Sequence, residues 1–305
     1  MLNSRSPWYV SKSIPHGLGN TAHVVALETQ DLLVGSDGQD KLVVYRLSTG
    51  ELIREFDGLE LNFDVMQGSQ DGDVYGCSAY RLSRIDLKTG ESIPLMTTSD
   101  DPPAQELICG VSSDGESVLI AARDADPSGV VPYGTPLTYR IRDLNSGQLR
   151  WELPTKDTSQ SQGVFSADGQ RVGLQIGDRF QVWDIGKNEK VHDSSLNLGR
   201  YPTPRLFPDG RRALGSYRDI FDLESDTHLS QVGSGFHATI VNDSFLVTDD
   251  KGRFSYWRRR RPEGSWSPLN FPAAWITGTL ALACVVSVIG HFRRPNGNEH
   301  ASSPQ

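Results

Sequence analysis

The chain has 305 residues, of which 37% are hydrophobic and 22% charged, with 30 glycines and 17 prolines. This is the composition of a folded, turn-rich protein, and it excludes an intrinsically disordered chain. The formal charge of −8 disfavours broad binding to a nucleic-acid backbone, because such binding needs a basic face. We therefore expect no nucleic-acid partner.

Three cysteines, Cys77, Cys109 and Cys284, occur without a CxxC pair or a Cys/His spacing that would hold zinc. We expect neither a disulfide framework nor a structural metal site. Low cysteine use is typical of a reducing compartment, while one Cys77–Cys109 bridge stays open for an oxidising one. Residues 1–17 contain no apolar segment like that of a secretory signal peptide, unless the true start lies further upstream.

Turn signals recur along the chain at a nearly constant interval. Asp-Gly pairs lie at Asp71-Gly72, Asp114-Gly115, Asp168-Gly169 and Asp209-Gly210, with a looser form in Asp250-Lys251-Gly252. A second, polar turn follows a strand in VVYRLSTGE, SRIDLKTGE, YRIRDLNSGQ, VWDIGKNE and DIFDLESDT. Two turns per period of about 40 residues, between strands rich in Val, Ile, Leu, Tyr and Phe, predict the blades of a β-propeller. A β-sandwich is the alternative.

The spacing predicts an all-β domain of about six blades, with seven as the alternative count. The last blade is short, and we expect Trp8–Ser11 to complete it as an outer strand, since joining the first and last blades removes an open sheet edge. The predicted blades are His23–Asp57, Leu61–Met96, Gln105–Leu153, Gln162–His192, Pro204–Val232 and Phe236–Trp257.

These repeats resemble the WD40 and WD40-like repeat family. Phe165–Gly169 and Phe207–Gly210 match the F-S-P-D-G turn of that repeat, Val111–Gly115 matches it more loosely, and Trp183-Asp184 matches its terminal W-D. The Gly-His dipeptide common before the first strand is not kept. The resemblance covers about residues 8–261 and implies a non-catalytic scaffold, since many such propellers use their faces to dock other proteins.

One interval is longer than the rest and indicates an insertion at Arg123–Pro136, between the second and third strands of blade three. Long loops often carry function, although a solvated insertion without a partner is the simpler interpretation. Asp124, Asp126 and Ser128 imitate the alternating oxygen ligands of a Ca²⁺ loop, but Thr135 stands where a bidentate Glu is needed. The sequence therefore favours a turn-rich loop over a metal site.

A hydrophobic stretch, FPAAWITGTLALACVVSVIGHF at Phe271–Phe292, contains no Asp, Glu, Lys or Arg. As a helix it spans about 33 Å, enough for a hydrocarbon core of about 30 Å, and Trp266 and Trp275 mark one interface. Its length and polar flanks argue against a buried core helix. The predicted organisation is a propeller (8–261), a juxtamembrane linker (262–270), a single C-terminal transmembrane helix (271–292) and a short, disordered polar tail (293–305).

Cations flank this stretch unequally. Those before it are Lys251, Arg253, Arg258, Arg259, Arg260 and Arg261, and those after it are Arg293 and Arg294. The positive-inside bias predicts a tail-anchored protein with its propeller in the cytoplasm, and the bias keeps its sign when Lys251 and Arg253 are left out as parts of a blade. The arginine run can also rest on anionic headgroups, an interpretation favoured over nucleic-acid binding.

The chain has no GxSxG, HExxH, GxxxxGK[ST] or helix-opening GxGxxG motif. His23 and His237 occupy comparable places near blade starts, where we expect structural histidines. We predict no cofactor and no enzymatic activity. The main hypothesis is a membrane-anchored protein-interaction scaffold, with an unknown protein and the lipid bilayer as partners. An extracytoplasmic ligand-binding or sensor propeller and, less favoured, a propeller enzyme are the alternatives.

Overall fold

A computed structural model describes residues 8–18, 23–98, 104–126, 128, 130–132, 134–158, 163–196, 198, 204–215, 219–232, 238–242, 245–249 and 252–259. Within these residues the chain forms six antiparallel sheets of four strands each, with a short 3-10 turn at Glu28–Gln30. The predicted all-β propeller of six blades is confirmed, and the alternative count of seven is wrong.

Strand β1 (Trp8–Pro15) precedes blade 1. Blade 1 contains β2 (His23–Leu27), β3 (Leu32–Ser36), β4 (Leu42–Arg46) and β5 (Leu52–Phe56). Blade 2 contains β6 (Val65–Gly68), β7 (Val74–Cys77), β8 (Arg81–Ile85) and β9 (Ser92–Thr97). Blade 3 contains β10 (Ala104–Val111), β11 (Ser117–Asp124), β12 (Thr138–Asp143) and β13 (Leu149–Pro154).

Blade 4 contains β14 (Gly163–Phe165), β15 (Arg171–Ile176), β16 (Arg179–Asp184) and β17 (Glu189–Ser194). Blade 5 contains β18 (Arg205–Leu206), β19 (Arg212–Leu214), β20 (Asp219–Asp222) and β21 (Thr227–Gln231). Blade 6 contains β22 (Ala238–Asn242), β23 (Phe245–Asp249) and β24 (Arg253–Arg259), with β1 on its outer edge. The first strand of each blade lines the central axis, and most neighbouring first strands touch one another.

The predicted Asp-Gly turns join the first and second strands of blades 2 to 5. Their glycines are Gly72, Gly115, Gly169 and Gly210, with φ of 92°, 72°, 68° and 63°. Residues with a Cβ rarely adopt this conformation, which explains the glycines. Because the strands alternate in direction, these turns and those between third and fourth strands share one face of the ring, called here the turn face.

The chain closes the ring with its own N-terminal strand, as predicted. β1 runs antiparallel to β24, from Trp8 opposite Arg259 to Pro15 opposite Arg253, and is longer than the expected Trp8–Ser11. Trp8 is buried, with its ring 6.1 Å from that of Phe207 in blade 5. The outer strand of blade 6 therefore also anchors blade 5.

The core lies between neighbouring blades, in clusters of aliphatic and aromatic side chains. At the junction of blades 6 and 1, Phe254 is fully buried among Val24, Leu33 and Val247. Its ring packs on Gly35, where an added Cβ would lie 2.4 Å from Phe254 Cζ. Glycine is needed at this position because the ring occupies the space of a side chain.

Every blade carries a β-bulge in its outermost strand, at which one extra residue is inserted. These residues are Ser11, Ile53, Leu95, Arg150, Val191 and Leu229. Four of them are exposed hydrophobic side chains, between 38% and 41% exposed. A bulge twists an edge strand and interrupts its row of hydrogen-bonding groups, which hinders the addition of another strand. The outer rim of the ring is therefore better suited to contact a partner through its side chains than to pair with an added strand.

The chain divides into two units, Met1–Arg260 and Arg261–Gln305. Among the described residues, no helix combines the length and the apolar character needed to cross a bilayer. The predicted linker (262–270), transmembrane helix (271–292) and tail (293–305) all lie outside those residues.

Candidate functional site

The first strands of all six blades surround a cavity of about 550 Å³ in the central channel. It extends to the turn face, where residues of the Asp-Gly turns line its mouth. The wall is mixed. Its aliphatic part is formed by Val25, Leu27, Val111, Val164, Leu206 and Ile240, and polar side chains such as Gln67, Gln70 and Thr239 lie among them. Apolar surface combined with placed polar groups is typical of small-ligand sites.

Among the described residues that line this cavity, Arg205 is the only one with a cationic side chain. It belongs to β18 in blade 5, and its Nη2 donates a hydrogen bond of 3.2 Å to the carbonyl oxygen of Met66. Met66 lies on β6 in blade 2, which is the opposite blade of a six-membered ring. The side chain therefore crosses the channel.

The guanidinium of Arg205 is poorly compensated. Burial lowers its pKa to about 10, so it remains cationic at neutral pH. Among the described residues, the Met66 oxygen is its single hydrogen-bond acceptor and no carboxylate lies within salt-bridge distance. A guanidinium has five N–H donors, so most of them face the cavity without a protein acceptor.

Other shielded arginines in the ring are paired with acids. Arg140 Nη2 lies 2.7 Å from Asp124 and its Nε lies 3.1 Å from Glu152. Arg212 is buried, with Nε 2.6 Å from Asp209 Oδ2. The fold thus neutralises its structural arginines, and Arg205 is an exception among the described residues.

The position of Arg205 is visible in the sequence once the repeats are aligned on their Asp-Gly turns. The residue four places before each turn Asp is Gln67, Gly110, Val164 and Arg205 in blades 2 to 5. The first three are uncharged, and Gln67 is held by its Oε1, which accepts a hydrogen bond of 2.7 Å from the N–H of Val111. A cation at this position of the repeat is thus a sequence signal for Arg205, which was not among the predicted site residues.

A second concave region lies between blades 1 and 2 at the outside of the ring and is called here the blade 1–2 groove. It encloses about 530 Å³, and its lining residues are Gln30, Leu32, Val44, Ile53, Arg54, Gly72, Asp73, Arg84, Ile85, Asp86, Leu87, Lys88 and Ile93. Ile53 and Ile93, on the outer strands β5 and β9, are 40% and 36% exposed. The two blades thus present an apolar side chain each beside one groove.

The charges of the groove are unevenly compensated. Arg54 Nη1 donates a hydrogen bond of 2.9 Å to the Leu87 carbonyl and so bridges the blades. Within the described part of the chain, neither Arg54 nor Lys88 has a carboxylate within salt-bridge distance, while Arg84 lies 3.9 Å from Asp73. An acidic protein thus exposes two unpaired cations beside two exposed isoleucines.

The predicted insertion lies between β11 and β12, so topology places it on the face opposite the turn face. Its candidate Ca²⁺ ligands do not converge. Asp124 pairs with Arg140 at 2.7 Å, whereas Asp126 Oδ1 accepts hydrogen bonds of 2.5 and 2.9 Å from the Ser128 hydroxyl and N–H. The Ser128 hydroxyl bond is the main reason that the pKa of Asp126 is below its usual range. Asp126 and Ser128 thus close a local turn.

The predicted membrane-flanking residues divide into two groups. Arg258 and Arg259 are exposed residues of strand β24 and pair in register with Tyr9 and Trp8. The others lie outside the described residues: Arg260, Arg261, Trp266, Trp275, Arg293 and Arg294. Half of the arginine run is therefore part of the folded ring, because β24 extends two residues past Trp257.

The structure also locates two cysteines and one of the histidines singled out in the sequence. Cys77 and Cys109 are free thiols, and burial raises the pKa of each to about 12. His23 is buried, with its ring 5.5 Å from that of Phe63, as expected for a structural histidine. His237 and Cys284 lie outside the described residues.

Comparison with known proteins identifies the fold. No family model matches the chain, and no curated protein is significantly similar to it in sequence. Among solved structures, the chain is similar to the β-propeller domain of Cps50 (Swd1) from Myceliophteria thermophila, with a TM-score of 0.57 and 12% identity, over 83% of this chain and 99% of that one. Matching chains number 1265, and a fold so widely shared does not determine function. The similarity supports the β-propeller fold.

Proposed function

We propose that this protein is a membrane-anchored, non-catalytic propeller that binds a partner protein in the blade 1–2 groove. The observation that carries the proposal is the juxtaposition of exposed Ile53 and Ile93 with the unpaired cations Arg54 and Lys88. Exposed apolar residues rimmed by charge are typical of protein interaction sites. The occupant that fits is a segment with an apolar side chain flanked by acidic residues.

The geometry of the outer strands favours side-chain docking over strand addition. The bulge residues Ile53 and Leu95 interrupt the outer edges of β5 and β9, and Pro94 removes an N–H from β9. Bulges and proline both oppose pairing with an added strand. A partner would therefore bury an apolar residue against Ile53 and Ile93 and place its acids near Arg54 and Lys88.

The membrane anchor in this proposal is the apolar stretch 271–292. Cytoplasmic placement of the propeller depends on which arginines count as flanking charge. Arg258 and Arg259 are strand residues, so the reason for leaving out Lys251 and Arg253 applies to them too. Arg260 and Arg261 are then matched by Arg293 and Arg294. The balance of charge is thus closer than the sequence alone indicated, and orientation needs a direct measurement.

Site-specific photo-crosslinking tests the groove. A photoreactive amino acid replaces Ile93 in the full chain, and the matched control replaces Leu229, an equally exposed residue on the outer strand of blade 5. We expect a discrete protein adduct at position 93 and not at position 229. Identical adducts at both positions, or lipid adducts alone at position 93, would contradict the proposal.

Reporter fusions test the anchor and its orientation. One reporter follows Gln305 and the other is inserted after Ser128, in the loop on the face opposite the turn face. We expect cytoplasmic activity for the insertion and activity on the other side of the membrane for the C-terminus. The reverse pattern would favour an extracytoplasmic sensor propeller, and release of the chain by carbonate extraction would exclude the anchor.

A further inference from the structure

We infer that the central channel binds a monocarboxylate with an apolar body, whose carboxylate pairs with Arg205. This inference is independent of the partner proposed for the blade 1–2 groove. It stands on the placement of an unpaired guanidinium inside a cavity of about 550 Å³ to which five blades contribute aliphatic side chains.

The guanidinium of Arg205 has no counter-charge among the described residues. Arg205 crosses the axis from blade 5 and finds only the Met66 carbonyl of blade 2, at 3.2 Å, among the described residues. A half-buried cation without a counter-charge is costly unless a ligand or solvent compensates it. A planar carboxylate can accept two parallel N–H bonds from one guanidinium, which is the geometry that arginine favours.

The wall around Arg205 contributes apolar surface to the cavity. Aliphatic side chains from blades 1, 3, 4, 5 and 6 face the cavity, including Val25, Val111, Val164, Leu206 and Ile240. The neighbouring polar side chains are partly committed, since Gln67 accepts from the Val111 N–H and Thr239 Oγ1 accepts from the Ala26 N–H at 3.3 Å. The part of the ligand that lies against these aliphatic side chains is therefore apolar.

Negative charge at the cavity mouth favours a singly charged anion over a doubly charged one. Glu28 and Asp168 line the turn-face end, and Asp168 Oδ1 is engaged by Ser166 Oγ at 2.5 Å and by the Gln170 N–H at 3.1 Å. Two carboxylates at the entrance repel a dianion such as phosphate more strongly than a monoanion. A singly charged carboxylate on an apolar body is the chemistry that satisfies both ends.

Such a carboxylate has two possible sources, a free small acid and the C-terminus of a peptide. The test uses the full chain in a non-ionic detergent and measures binding calorimetrically at neutral pH. Benzoate probes the free acid, with benzamide as its neutral isostere. The peptide N-acetyl-Leu-Leu with a free carboxylate probes the C-terminus, with the same peptide amidated as its control.

Three variants assign the binding to Arg205. Arg205→Gln removes the cation, Arg205→Lys keeps charge without the planar fork, and Arg81→Gln removes an exposed arginine of β8 outside the cavity. We expect at least one acid to bind better than its amide, Arg205→Gln to weaken it by about tenfold or more, Arg205→Lys to weaken it less, and Arg81→Gln to leave it unchanged.

Tighter binding of benzoate would identify a small acid as the ligand, and tighter binding of the peptide acid would identify a C-terminus. Equal binding of acids and amides would overturn the inference, as would unchanged binding by Arg205→Gln or binding of neither acid. Circular dichroism of each variant verifies that the ring is folded. If Arg205→Gln does not fold, the comparison of Arg205→Lys with the unchanged chain still tests the inference.

Discussion

Replacement of Arg205 by methionine is predicted to stabilise the protein, whereas removal of a buried arginine usually destabilises. Burial lowers the pKa of Arg205 well below the usual value for arginine, to about 10. At about 1.4 kcal/mol per pKa unit, holding the charged form in the channel costs about 3 kcal/mol. Loss of the hydrogen bond to Met66 removes about 1–2 kcal/mol. The expected net gain in the free energy of unfolding is therefore about 1–2 kcal/mol.

The assay is urea denaturation at pH 7, followed by circular dichroism, with two matched variants. Arg212→Met removes the charge-assisted hydrogen bond between buried Arg212 and the half-buried side chain of Asp209 and is expected to destabilise by about 1.5–3 kcal/mol. Arg81→Met changes an exposed arginine and is expected to shift the free energy by less than about 0.5 kcal/mol. If Arg205→Met destabilises the chain as much as Arg212→Met does, the account of an uncompensated cation is refuted.

The pH dependence of the free energy of unfolding tests the same cost of the Arg205 charge independently. Because the folded-state pKa of Arg205 lies below its unfolded value, the cost of the charge is complete below pH 10. The cost shrinks as the pH rises from 10 towards 12.5, where the unfolded chain holds more protons than the folded one. The stability difference between Arg205→Met and the unchanged chain is therefore expected to narrow above pH 10.

The remaining predictions concern ring closure and the buried thiols. Trp8→Ala is expected to lower the free energy of unfolding by about 3–5 kcal/mol because Trp8 is buried between blades 5 and 6, whereas Val10→Ala, which shortens an exposed side chain of the same strand, changes it by less than about 1 kcal/mol; equal effects would contradict closure by β1. Buried Cys77 and half-buried Cys109 are expected to resist alkylation at pH 8 in the folded chain, measured by mass spectrometry of each peptide, because the pKa of each thiol is raised; rapid labelling of either would contradict this. Since burial raises the pKa of both thiols from 9.0 to about 12, the stability that they contribute is complete below pH 9 and falls between pH 9 and 12; the double variant Cys77→Ala/Cys109→Ala should show a shallower decline there, and an unchanged slope would contradict this.

The sequence predicted the ring because its turns depend on local chemistry. Positive φ at Gly115 and Gly169 follows from the Asp-Gly pairs themselves, and the regular spacing of such pairs fixes the blades. Closure by Trp8 was also predictable, because the last blade lacked a strand. These features depend on a few adjacent residues or on the length of the chain between them.

The bulges and the contact of Arg205 across the channel depend on pairings that a single sequence does not display. Ile53 and Leu95 look like ordinary strand residues, and their bulged positions emerge only from the register against β4 and β8. Arg205 begins a two-residue strand, too short for an alternating pattern. Its distance from Met66 in sequence hides a contact that only the closed ring creates.

The boundary of the last blade was predicted less well for a similar reason. The predicted last blade ends at Trp257, because the four adjacent arginines that follow have no strand-like pattern. Pairing with β1 extends β24 through Arg259. The closing strand therefore imposes structure on residues whose own sequence does not favour it.

The central claim, a partner protein held in the blade 1–2 groove, is tested most directly by reversing the charge of the groove. The full chain with Arg54→Glu and Lys88→Glu is compared with the unchanged chain and with an Arg81→Glu control, and the adduct formed by a photoreactive residue at position 93 is quantified. The account predicts that the adduct is lost in the double variant and retained in the control. Retention of the same adduct in the double variant, with a folded ring, would contradict it.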